Sequence, residues 1–575
     1  MNSKELRQKF LAYFNKKGHQ VLPSASLVPA EVDPSVLFNT AGMQQFKRFY
    51  LEPNESPSSR ITTIQKCIRT GDIEEVGDDT HLTFFEMLGN FSFGYPEKEG
   101  SYFKEEAIKF AWEFLTKELG FSQDRIYATY FEGNDLVSKD QESLEILKKI
   151  EGLKEIKPQG FDDNFWSLGT ENSPGGPTVE FYIDGVEVWN LVFNEYIYQG
   201  GKYKSAQFKG VDTGMGFERL LCKLTGLKNV YQTDLFELPY KKLHELLKTE
   251  DSISERIILD HLKAAVFIIN DGIMPSNKAQ GYIVRRLIRR AIVKAQQIGI
   301  TENFTTKIAE EVFKTYEGVY DFDRNSILVE LDKEETKFRK TLQEGLKLLA
   351  NQKEITGKTL FDLYQSYGLP LEIALEEAKR QGFEVNDQII DQYNNLIKDH
   401  QEQSRTASAG MFKGGLADAG EETTKLHTAA HLMLAALRKV LGPDVYQKGS
   451  NITPERLRFD FSYPEKMTDA QVKEVEDIVN EQIAKDLPVN MEEMKVEDAK
   501  TCGAMGVFDS KYGEKVKVYT IGPSTPDSRS GSRDFVSREI CGGPHVAHTG
   551  ELGRFKIVKE ESSSSGVRRI KAILE

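Results

Sequence analysis

Two short segments that carry histidine and cysteine at close spacing restrict most strongly what this chain can fold into. In HTAAH, His427 and His431 lie four residues apart, so in a helix both side chains project from one face and can bind one ion. About a hundred residues later, EICGGPH separates Cys541 from His545 by three residues, two of them glycines that let the backbone turn tightly. Three histidines and one cysteine are a ligand set typical of zinc, so the sequence predicts one Zn2+ site.

Packing is the alternative explanation for these histidines. A single histidine pair on a helix is weak evidence for a metal, but the chain has only nine histidines and four cysteines, and packing rarely produces two spaced pairs. His548, three residues beyond His545, is left out of the ligand set and assigned to the surroundings of the metal or to the surface. Thr428 occupies the position of the catalytic glutamate in the HExxH motif, which argues against a metalloprotease.

Length and composition predict a cytoplasmic protein of several domains. At roughly 150 residues per domain, 575 residues correspond to three or four domains. The N-terminal MNSKELRQKFLAYF mixes charges with one apolar helix face, formed by Leu6, Phe10, Tyr13 and Phe14, and lacks the apolar core of a signal peptide. No apolar run approaches the ~18 residues that cross a bilayer, and four scattered cysteines do not suggest a disulfide framework. We expect no membrane partner.

A net charge of −14 argues against non-specific coating of nucleic acid, but one segment is strongly basic. In GYIVRRLIRRAIVKAQQ, arginines recur at helical spacing opposite an apolar side, at positions Arg285, Arg286, Arg289 and Arg290. The pattern fits two arrangements, a phosphate-binding helix face or a face whose arginines pair with nearby acids. Spacing alone leaves both open.

The order of strand-like and helical segments predicts an α+β multidomain protein. Residues 1–240 mix strands with amphipathic helices, and residues 241–405 are almost all helical. Residues 406–425 are rich in Gly, Ala and Ser and are predicted to be a linker. Residues 426–575, which contain the predicted zinc ligands, alternate helices with strands and form a second α+β module.

Specific sequence segments carry a family resemblance over nearly the whole chain. QKCIRTGDIEEVGDDTHLTFFEMLGNFSFG and VDTGMGFERL resemble motifs 2 and 3 of class II aminoacyl-tRNA synthetases. Further segments resemble the alanyl-tRNA synthetases: FNTAGMQQF, DNFWSLG, VWNLVFNEY, DGIMPSNKAQGYIVRRLIRRA, HTAAHLMLAALRKVLG and CGGPHVAHTGELG. The resemblance implies a class II antiparallel sheet with helices, followed by a helical tRNA-recognition domain and an α+β zinc-containing editing domain.

The resemblance also implies roles in binding ATP. Arg69 matches the motif 2 arginine and would hold the α-phosphate, while Arg219 matches the motif 3 arginine and would bind the far end of a bent ATP. Phe85 would stack on adenine, and the backbone of Met87 would read its edge. Glu187 matches a carboxylate suited to Mg2+, the ion expected to accompany ATP.

For the amino acid, the resemblance implies a pocket sized for a methyl group. Asp212 would pair with the ammonium group of L-alanine, Trp166 and Val188 would form the walls, and Asn190 would lie nearby. Arg69, Arg219 and Asp212 are thus the expected catalytic residues. Such a pocket rejects an added hydroxyl only about a hundredfold and does not exclude a smaller side chain, so serine and glycine are expected to be activated in error.

The zinc module resembles the editing domain of this family, which hydrolyses mischarged tRNA. Zn2+ would there orient the substrate ester or its attacking water, with Gln447 as a polar neighbour; alternatively, four protein ligands close the shell and the ion is structural. The usual synthetase of this family carries a β-barrel segment before the HxxxH helix and a long C-terminal region, and we expect this chain to be a short form without the C-terminal region and most of the β-barrel segment. We therefore expect a monomer, with a separate C-terminal-domain polypeptide as a possible partner, and hold open that editing is impaired.

The helical region would bind the acceptor stem of tRNA(Ala). Relatives read a G·U pair with an asparagine, matched by Asn277, and with an aspartate, which is Glu372 here. The four arginines would contribute to the same surface. Three other functions compete: a trans-editing hydrolase, a non-catalytic tRNA-binding paralogue and a threonyl-tRNA synthetase. Intact motifs 2 and 3 argue against the first two, and the absence of evident catalytic zinc ligands in residues 1–240 argues against the third.

Overall fold

The computed structural model describes residues 1–29, 36–409, 416, 420–506, 515–522, 535–564 and 566–575. The chain forms two compact units, Met1–Ile390 and Asp391–Glu575. Both combine helices with sheets, which confirms the predicted α+β multidomain fold class.

The predicted linker is only partly visible. Its residues 406–409 belong to one helix and 421–425 to the next, while 410–415 and 417–419 lie outside the described residues. The predicted domain boundaries after residues 240, 405 and 425 stay predictions.

A nine-stranded sheet forms the centre of the first unit. Its strands are β1 (Gln20–Val21), β2 (Arg60–Ile68), β3 (Phe84–Tyr95), β4 (Ile126–Phe131), β5 (Ile156–Gln159), β6 (Phe165–Ser167), β7 (Pro174–Ile183), β8 (Val186–Gln199) and β9 (Lys202–Gly216). The order is β1-β2-β3-β9-β8-β7-β4-β5, with β6 paired to β7. All neighbours from β2 to β4 are antiparallel, and β3, the second strand of the motif 2 segment, pairs directly with β9, the strand that ends in motif 3.

Helices surround this sheet and form the rest of the first unit. They are α1 (Ser3–Lys16), α2 (Lys47–Leu51), α3 (Lys104–Glu113), α4 (Gln141–Lys148), α5 (Phe161–Asn164), α6 (Phe217–Thr225), α7 (Asp234–His244), α8 (Ser252–Asn270), α9 (Ala279–Gln297), α10 (Thr305–Thr315), α11 (Arg324–Ala350), α12 (Gly357–Tyr367) and α13 (Leu371–Arg380). The next helix, α14 (Asp387–Ala409), contains the boundary between the units.

Helix α1 shows how the sequence fixes the orientation of β8. An Asn2–Glu5 capping box starts the helix, and its predicted apolar face is buried, with every member at most 5% exposed. Phe10 and Phe14 pack on Trp189 of β8, each with a ring-centroid separation of 6.3 Å. Because alternate residues of a strand face opposite sides, the neighbours of Trp189 project from the other face of the sheet.

The second unit contains two smaller antiparallel sheets. Its strands are β10 (Gln447–Thr453), β11 (Arg456–Ser462), β12 (Val489–Lys495), β13 (Lys515–Ile521), β14 (Ser537–Ile540), β15 (Phe555–Ser564) and β16 (Val567–Leu574), and its helices are α15 (Glu421–Leu441), α16 (Asp469–Ala484) and α17 (Val496–Thr501). The sheets have the orders β10-β11-β16-β15 and β12-β13-β14. Leu457, Phe459 and Phe461 alternate on β11 and share one core with the apolar face of α15.

Candidate active site and candidate metal centre

One cavity of about 170 Å³, which we call the sheet cavity, lies in the first unit. All nine residues predicted to bind ATP, magnesium or alanine line it: Arg69, Phe85, Met87, Trp166, Glu187, Val188, Asn190, Asp212 and Arg219. Eight of them come from β3, β6, β8, β9 and α6, and Arg69 directly follows β2, so only the folded sheet brings them together.

Strand register forms the floor of the sheet cavity. Asn190 of β8 pairs with Gly214 of β9, and Val192 pairs with Asp212, so these four residues share one face. A Cβ atom at Gly214 would lie 2.8 Å from the Met87 sulfur, a clash that glycine avoids. Glycine at this position therefore leaves the floor of the cavity without a side chain, beneath the position expected for the ligand.

The predicted ATP-binding arginines stand at different points of the cavity wall. Arg69 follows β2, and its guanidinium carbon lies 4.9 Å from the centre of the Phe85 ring. In the described part of the chain, no carboxylate pairs with Arg69. Arg219 lies in the first turn of α6, and its Nη1 is 3.5 Å from the Glu187 carboxylate. The cavity thus offers Arg69 as an unpaired cation and Arg219–Glu187 as an ion pair. In that pair, the arginine suits a phosphate and the glutamate suits a divalent cation.

Three carboxylates in or beside the sheet cavity, Asp212, Glu180 and Glu218, have strongly raised pKa values. Burial raises the pKa of Asp212 to about 7, because the charged form loses its water. Burial also raises the pKa of Glu180 to about 7, assisted by the negative charges of Glu187 and Asp163 and opposed by a hydrogen bond from a neighbouring hydroxyl. A buried carboxylate of this kind is stabilised in its charged form by a cation such as an ammonium group.

Sequence reasoning missed several residues of this site. Asp72, Thr80, His81 and Glu218 also line the sheet cavity, and Glu180 lies beside it on β7. The His81 ring hydrogen-bonds through Nδ1 to Asp78, 2.6 Å away, which fixes the ring beside the predicted ATP site. The position of His81 in the sequence, close to motif 2, could have indicated that it lies at this site, whereas Glu180 is recognised only from the strand pairing.

The arginines of α9 are buried ion-pair partners and not an open cationic face. Arg286, Arg289 and Arg290 are only 9%, 7% and 4% exposed. Arg289 pairs with Glu334 of α11, and Arg290 pairs with Glu376 of α13 and donates to the Ile73 carbonyl. Acids from other helices thus pair with these arginines, as in the second arrangement that the sequence left open, and their predicted contact with tRNA stays a prediction.

The residues predicted to read the acceptor stem adjoin the same arginines. Asn277 is exposed, and its side-chain oxygen accepts a hydrogen bond from Arg285, which also bonds Glu334 at 3.1 Å. Glu372 accepts a hydrogen bond from the Tyr282 hydroxyl at 3.1 Å and lies 3.6 Å from Arg286. Their predicted contact with tRNA stays a prediction.

The second unit brings the four predicted zinc ligands together. We call His427, His431, Cys541 and His545 the His/Cys cluster; one donor atom from each lies within 4.8 Å of the others. The two α15 histidines stand one turn apart, and Cys541 follows β14 directly. A Cβ atom at Gly543 would lie 2.6 Å from the His427 ring, so a glycine is required where the loop passes the ligand.

Groups around the His/Cys cluster orient all three imidazoles. Each Nδ1 has a partner: the Pro544 carbonyl lies 3.0 Å from that of His427, the Glu539 carboxylate 3.1 Å from that of His431, and the Thr428 hydroxyl 3.2 Å from that of His545. Each Nε2 is thereby left for the cluster, and in the described part of the chain the buried Nε2 of His545 has no hydrogen-bond partner. This is the arrangement by which protein carboxylates and carbonyls orient metal-binding histidines.

Ionisation in the cluster also fits a zinc ion. Burial opposes charge on Cys541, but the three histidines around it outweigh burial and lower the pKa of the thiol to about 2, which favours the thiolate. Burial lowers the pKa of His545 to about 3 and favours its neutral ring, whereas Glu539 and the thiolate outweigh burial at His431 and raise its pKa to about 10, so these two anions favour a cation, either a proton or a metal ion, at this ring. Thiolate and imidazole are the donors that Zn2+ prefers, so the residues present fit the predicted metal.

Gln447, the predicted polar neighbour, begins β10. Its Nε2 donates to the Ser450 hydroxyl at 3.0 Å, and in the described part of the chain it makes no hydrogen bond to the His/Cys cluster. Its editing role stays a prediction. None of the helices in the described part of the chain has the length and apolar character that a membrane crossing requires.

The antiparallel sheet, with a motif 2 arginine and a motif 3 arginine on one cavity, is the fold and site of a class II aminoacyl-tRNA synthetase. A family model described as tRNA synthetases class II (A) matches residues 5–435, and one described as the threonyl and alanyl tRNA synthetase second additional domain matches residues 516–571. The chain belongs to the alanyl-tRNA synthetase family.

Three relatives named alanine–tRNA ligase illustrate this membership. The protein of Treponema denticola is 45% identical over 99% of this chain and 98% of its own length. That of Borrelia hermsii is 42% identical over 100% of both chains. That of Thermotoga maritima is 35% identical over 100% of this chain and 80% of its own length.

Proposed function

We propose that this chain attaches L-alanine to tRNA(Ala) through an alanyl-adenylate formed from ATP, and that its second unit hydrolyses Ser-tRNA(Ala) and Gly-tRNA(Ala). The observation that carries the first part is the sheet cavity, which all nine predicted ATP, magnesium and alanine residues line. The His/Cys cluster beside the editing-related domain supports the second part.

In the first step, a carboxylate oxygen of alanine bonds to the α-phosphorus of ATP as the bond to pyrophosphate breaks. Arg69, which no described carboxylate neutralises, binds the α-phosphate and the charge that develops on it. Arg219 binds the far end of ATP once Glu187 is released from it. Mg2+ bound with ATP would supply charge neutralisation to the phosphates, and Glu187 is its expected protein ligand. Phe85 stacks on the adenine, whose edge the Met87 backbone reads.

Recognition of alanine uses the opposite part of the cavity. The ammonium group lies against the buried Asp212 carboxylate, which favours its charged form when a cation is bound. Trp166, Val188 and Asn190 form the pocket for the remainder of the amino acid. In the second step, a terminal ribose hydroxyl of the tRNA attacks the alanyl carbonyl, and AMP leaves. The protein contributes position and charge, and no covalent intermediate on the chain is needed.

Editing is assigned to the second unit. His427, His431, Cys541 and His545 would hold Zn2+, which when bound would act as a Lewis acid beside the ester or would stabilise the fold. Gln447 contributes a polar side chain near the substrate. The alternative is a synthetase whose editing is impaired, and the same experiment separates the two.

On the tRNA side, Asn277 is exposed and available for the acceptor stem, and it contacts Arg285. Glu372 lies close to the next arginine, Arg286. We propose that these two residues read the stem, whereas Arg286, Arg289 and Arg290 stabilise the helices that carry them. We further propose that the chain acts as a monomer, with or without a separate partner polypeptide.

The test combines two assays. The first measures pyrophosphate exchange into ATP in the presence of alanine, serine or glycine; the second measures deacylation of Ser-tRNA(Ala), with the His431→Ala variant as control. Strong alanine-dependent exchange and a deacylation that His431→Ala abolishes are expected. Exchange with none of the three amino acids would reject the synthetase assignment, and exchange without deacylation would favour the alternative of impaired editing.

A further inference from the structure

A hydrogen-bonded pair on adjacent strands lies at the part of the sheet cavity proposed to bind alanine, with one member lining the cavity and the other beside it. Glu180 of β7 stands opposite Asn190 of β8 in the strand register. The amide Nδ2 of Asn190 donates to Glu180 Oε1 at 2.8 Å, and the Tyr182 hydroxyl donates to Glu180 Oε2 at 2.7 Å. Glu180 is only 6% exposed, so both of its oxygens are held in place by protein groups.

The second polar atom of Asn190 has no such partner. Asn190 lines the sheet cavity, and its Oδ1 is buried without a hydrogen-bond partner in the described part of the chain. A buried, unpaired oxygen is costly, which is why most such atoms in proteins are satisfied by a ligand, water or protein donor. The atom therefore marks a place where a donor from the substrate is missing.

The chemistry of Glu180 decides which way the amide points. An ionised carboxylate only accepts hydrogen bonds, so the donating Nδ2 of Asn190 must face it and Oδ1 must face away. With Asp212 diagonally placed on the neighbouring strand, the cavity then presents two oxygen acceptors and no competing side-chain donor from this pair. Two acceptors suit an ammonium group, which has three N–H donors.

We propose that Glu180 is a positioning residue for alanine: it fixes the Asn190 amide so that Oδ1 accepts a hydrogen bond from the substrate's ammonium group together with Asp212. The inference rests on the proposed alanine–tRNA ligase function, which it deepens by adding a residue that touches no substrate. Glu180 acts through Asn190 alone, so removing Asn190 must abolish its effect.

The ionisation of Glu180 sets the conditions of the test. Its pKa is raised to about 7 by burial, with Glu187 of β8 and Asp163 of α5 adding negative charge, while the hydrogen bond from the Tyr182 hydroxyl opposes the rise. A protonated carboxyl can donate to Asn190 and would permit the reversed amide. Assays at pH 8 keep Glu180 ionised, so they report the proposed arrangement.

The experiment is a double-mutant cycle in alanine-dependent pyrophosphate exchange. Glu180→Gln keeps the shape of the side chain but adds an N–H donor, which lets the Asn190 amide reverse. We expect KM for alanine to rise roughly tenfold, with KM for ATP within twofold. Asn190→Ala should raise KM for alanine at least as much, and the double variant should equal Asn190→Ala alone.

Matched variants separate positioning from loss of structure. Glu195→Gln makes the same change on β8 at a carboxylate that pairs with Lys104 and does not line the sheet cavity, and its KM for alanine should stay within twofold of wild type. Tyr182→Phe removes one donor to Glu180 and should raise KM about threefold, but only when Asn190 is present. Thermal unfolding of each variant checks the fold; if Glu180→Gln unfolds, the Tyr182→Phe cycle decides.

Three results would overturn the inference. Effects of Glu180→Gln and Asn190→Ala that multiply would show that Glu180 acts independently of Asn190. A wild-type KM for alanine in a folded Glu180→Gln variant, or in Tyr182→Phe where that cycle decides, would show that the amide needs no positioning. Wild-type protein without alanine-dependent exchange would instead reject the proposed function itself, and with it the inference.

Discussion

The sheet cavity and the His/Cys cluster are both buried polar sites, but they treat their polar groups in opposite ways. In the cluster, each imidazole is already bonded on its outer nitrogen, and the thiolate is stabilised by the rings themselves. Among the residues that the structure describes in and around the sheet cavity, Arg69 has no carboxylate partner, Asn190 Oδ1 has no hydrogen-bond partner, and the buried Asp212 pairs with no cation. The polar groups of the cluster thus have protein partners, whereas those of the cavity are expected to find their partners in the substrate.

This difference indicates how each site should respond to mutation. A cavity whose groups are satisfied only by substrate loses binding and catalysis when one is removed, but the fold has no need of the ligand. When one ligand of the His/Cys cluster is removed, the cluster loses its metal. The effect on activity stays local to the second unit, because the two sites lie in separate units. The predictions below separate these responses, from the largest effect to the smallest.

Replacement of Asp212 should have the largest effect. In Asp212→Ala the alanine ammonium enters a buried position without its carboxylate, and we expect kcat/KM for alanine in pyrophosphate exchange to fall about a thousandfold. The melting temperature should not fall, because the change removes a carboxylate whose burial raises its pKa to about 7. A fall of less than tenfold would contradict the view that this cavity is completed by substrate.

The cluster should lose metal without affecting the cavity. For His431→Ala we expect zinc, measured by mass spectrometry on the purified chain, to fall from one per chain towards zero, and Ser-tRNA(Ala) deacylation to fall about a hundredfold. Alanine-dependent exchange should stay within twofold of wild type. His548→Ala, a histidine outside the cluster, is the matched control and should keep its zinc. Equal loss of both activities would contradict the independence of the two sites.

The buried arginines of α9 extend the comparison to a third region, whose groups are also already paired. Arg290→Ala removes one of the two cations that pair with Glu376, Lys294 being the other, and takes away the donor to the Ile73 carbonyl, so we expect the free energy of unfolding to fall by about 2 kcal/mol in urea. The salt dependence of tRNA binding should not change. A phosphate contact would instead reduce the slope of log K against log salt by about one, and that result would support the prediction of a tRNA-facing arginine.

The residue spacing predicts more of the His/Cys cluster than of the sheet cavity, and the reason is physical. Two cluster ligands lie one helical turn apart and two lie in one tight loop, so spacing alone suggested a shared ion. The cavity residues come from strands up to about 150 residues apart in sequence, and only the family resemblance brought them together before the structure was known. Register, which pairs Asn190 with Gly214, depends on the whole sheet.

Residues that the sequence did not resolve share this dependence on distant partners. A glutamate within a strand, such as Glu180, has the pattern of a solvent-facing residue until its neighbour across the sheet is known. The α9 arginines fit either phosphate binding or pairing with acids, and the deciding acids Glu334 and Glu376 lie roughly 45 and 86 positions further along the chain. The local pattern predicted helix α9 but did not identify the partners of its polar face.

The smallest predicted effect is a pH dependence that distinguishes the unsatisfied Asp212 from an ordinary aspartate. Because its pKa is raised to about 7, the folded protein without alanine binds a proton there between about pH 4 and 7, a range in which the unfolded chain does not. Protonation therefore stabilises the fold as pH falls through 7, and this contribution is lost as pH rises. Alanine binding needs the charged carboxylate and should change in the opposite direction.

At pH 6, one unit below this pKa, about a tenth of the Asp212 side chains are charged, so KM for alanine should be roughly tenfold above its value at pH 8 to 9. Glu180 and Glu218 also have pKa values raised to about 7, so the profile is compared between wild type and Asp212→Asn. The variant should bind alanine weakly at every pH and should lose the larger part of the slope. A slope that survives in Asp212→Asn would assign the titration to another carboxylate and would remove the distinction drawn between an unsatisfied cavity and a self-satisfied cluster.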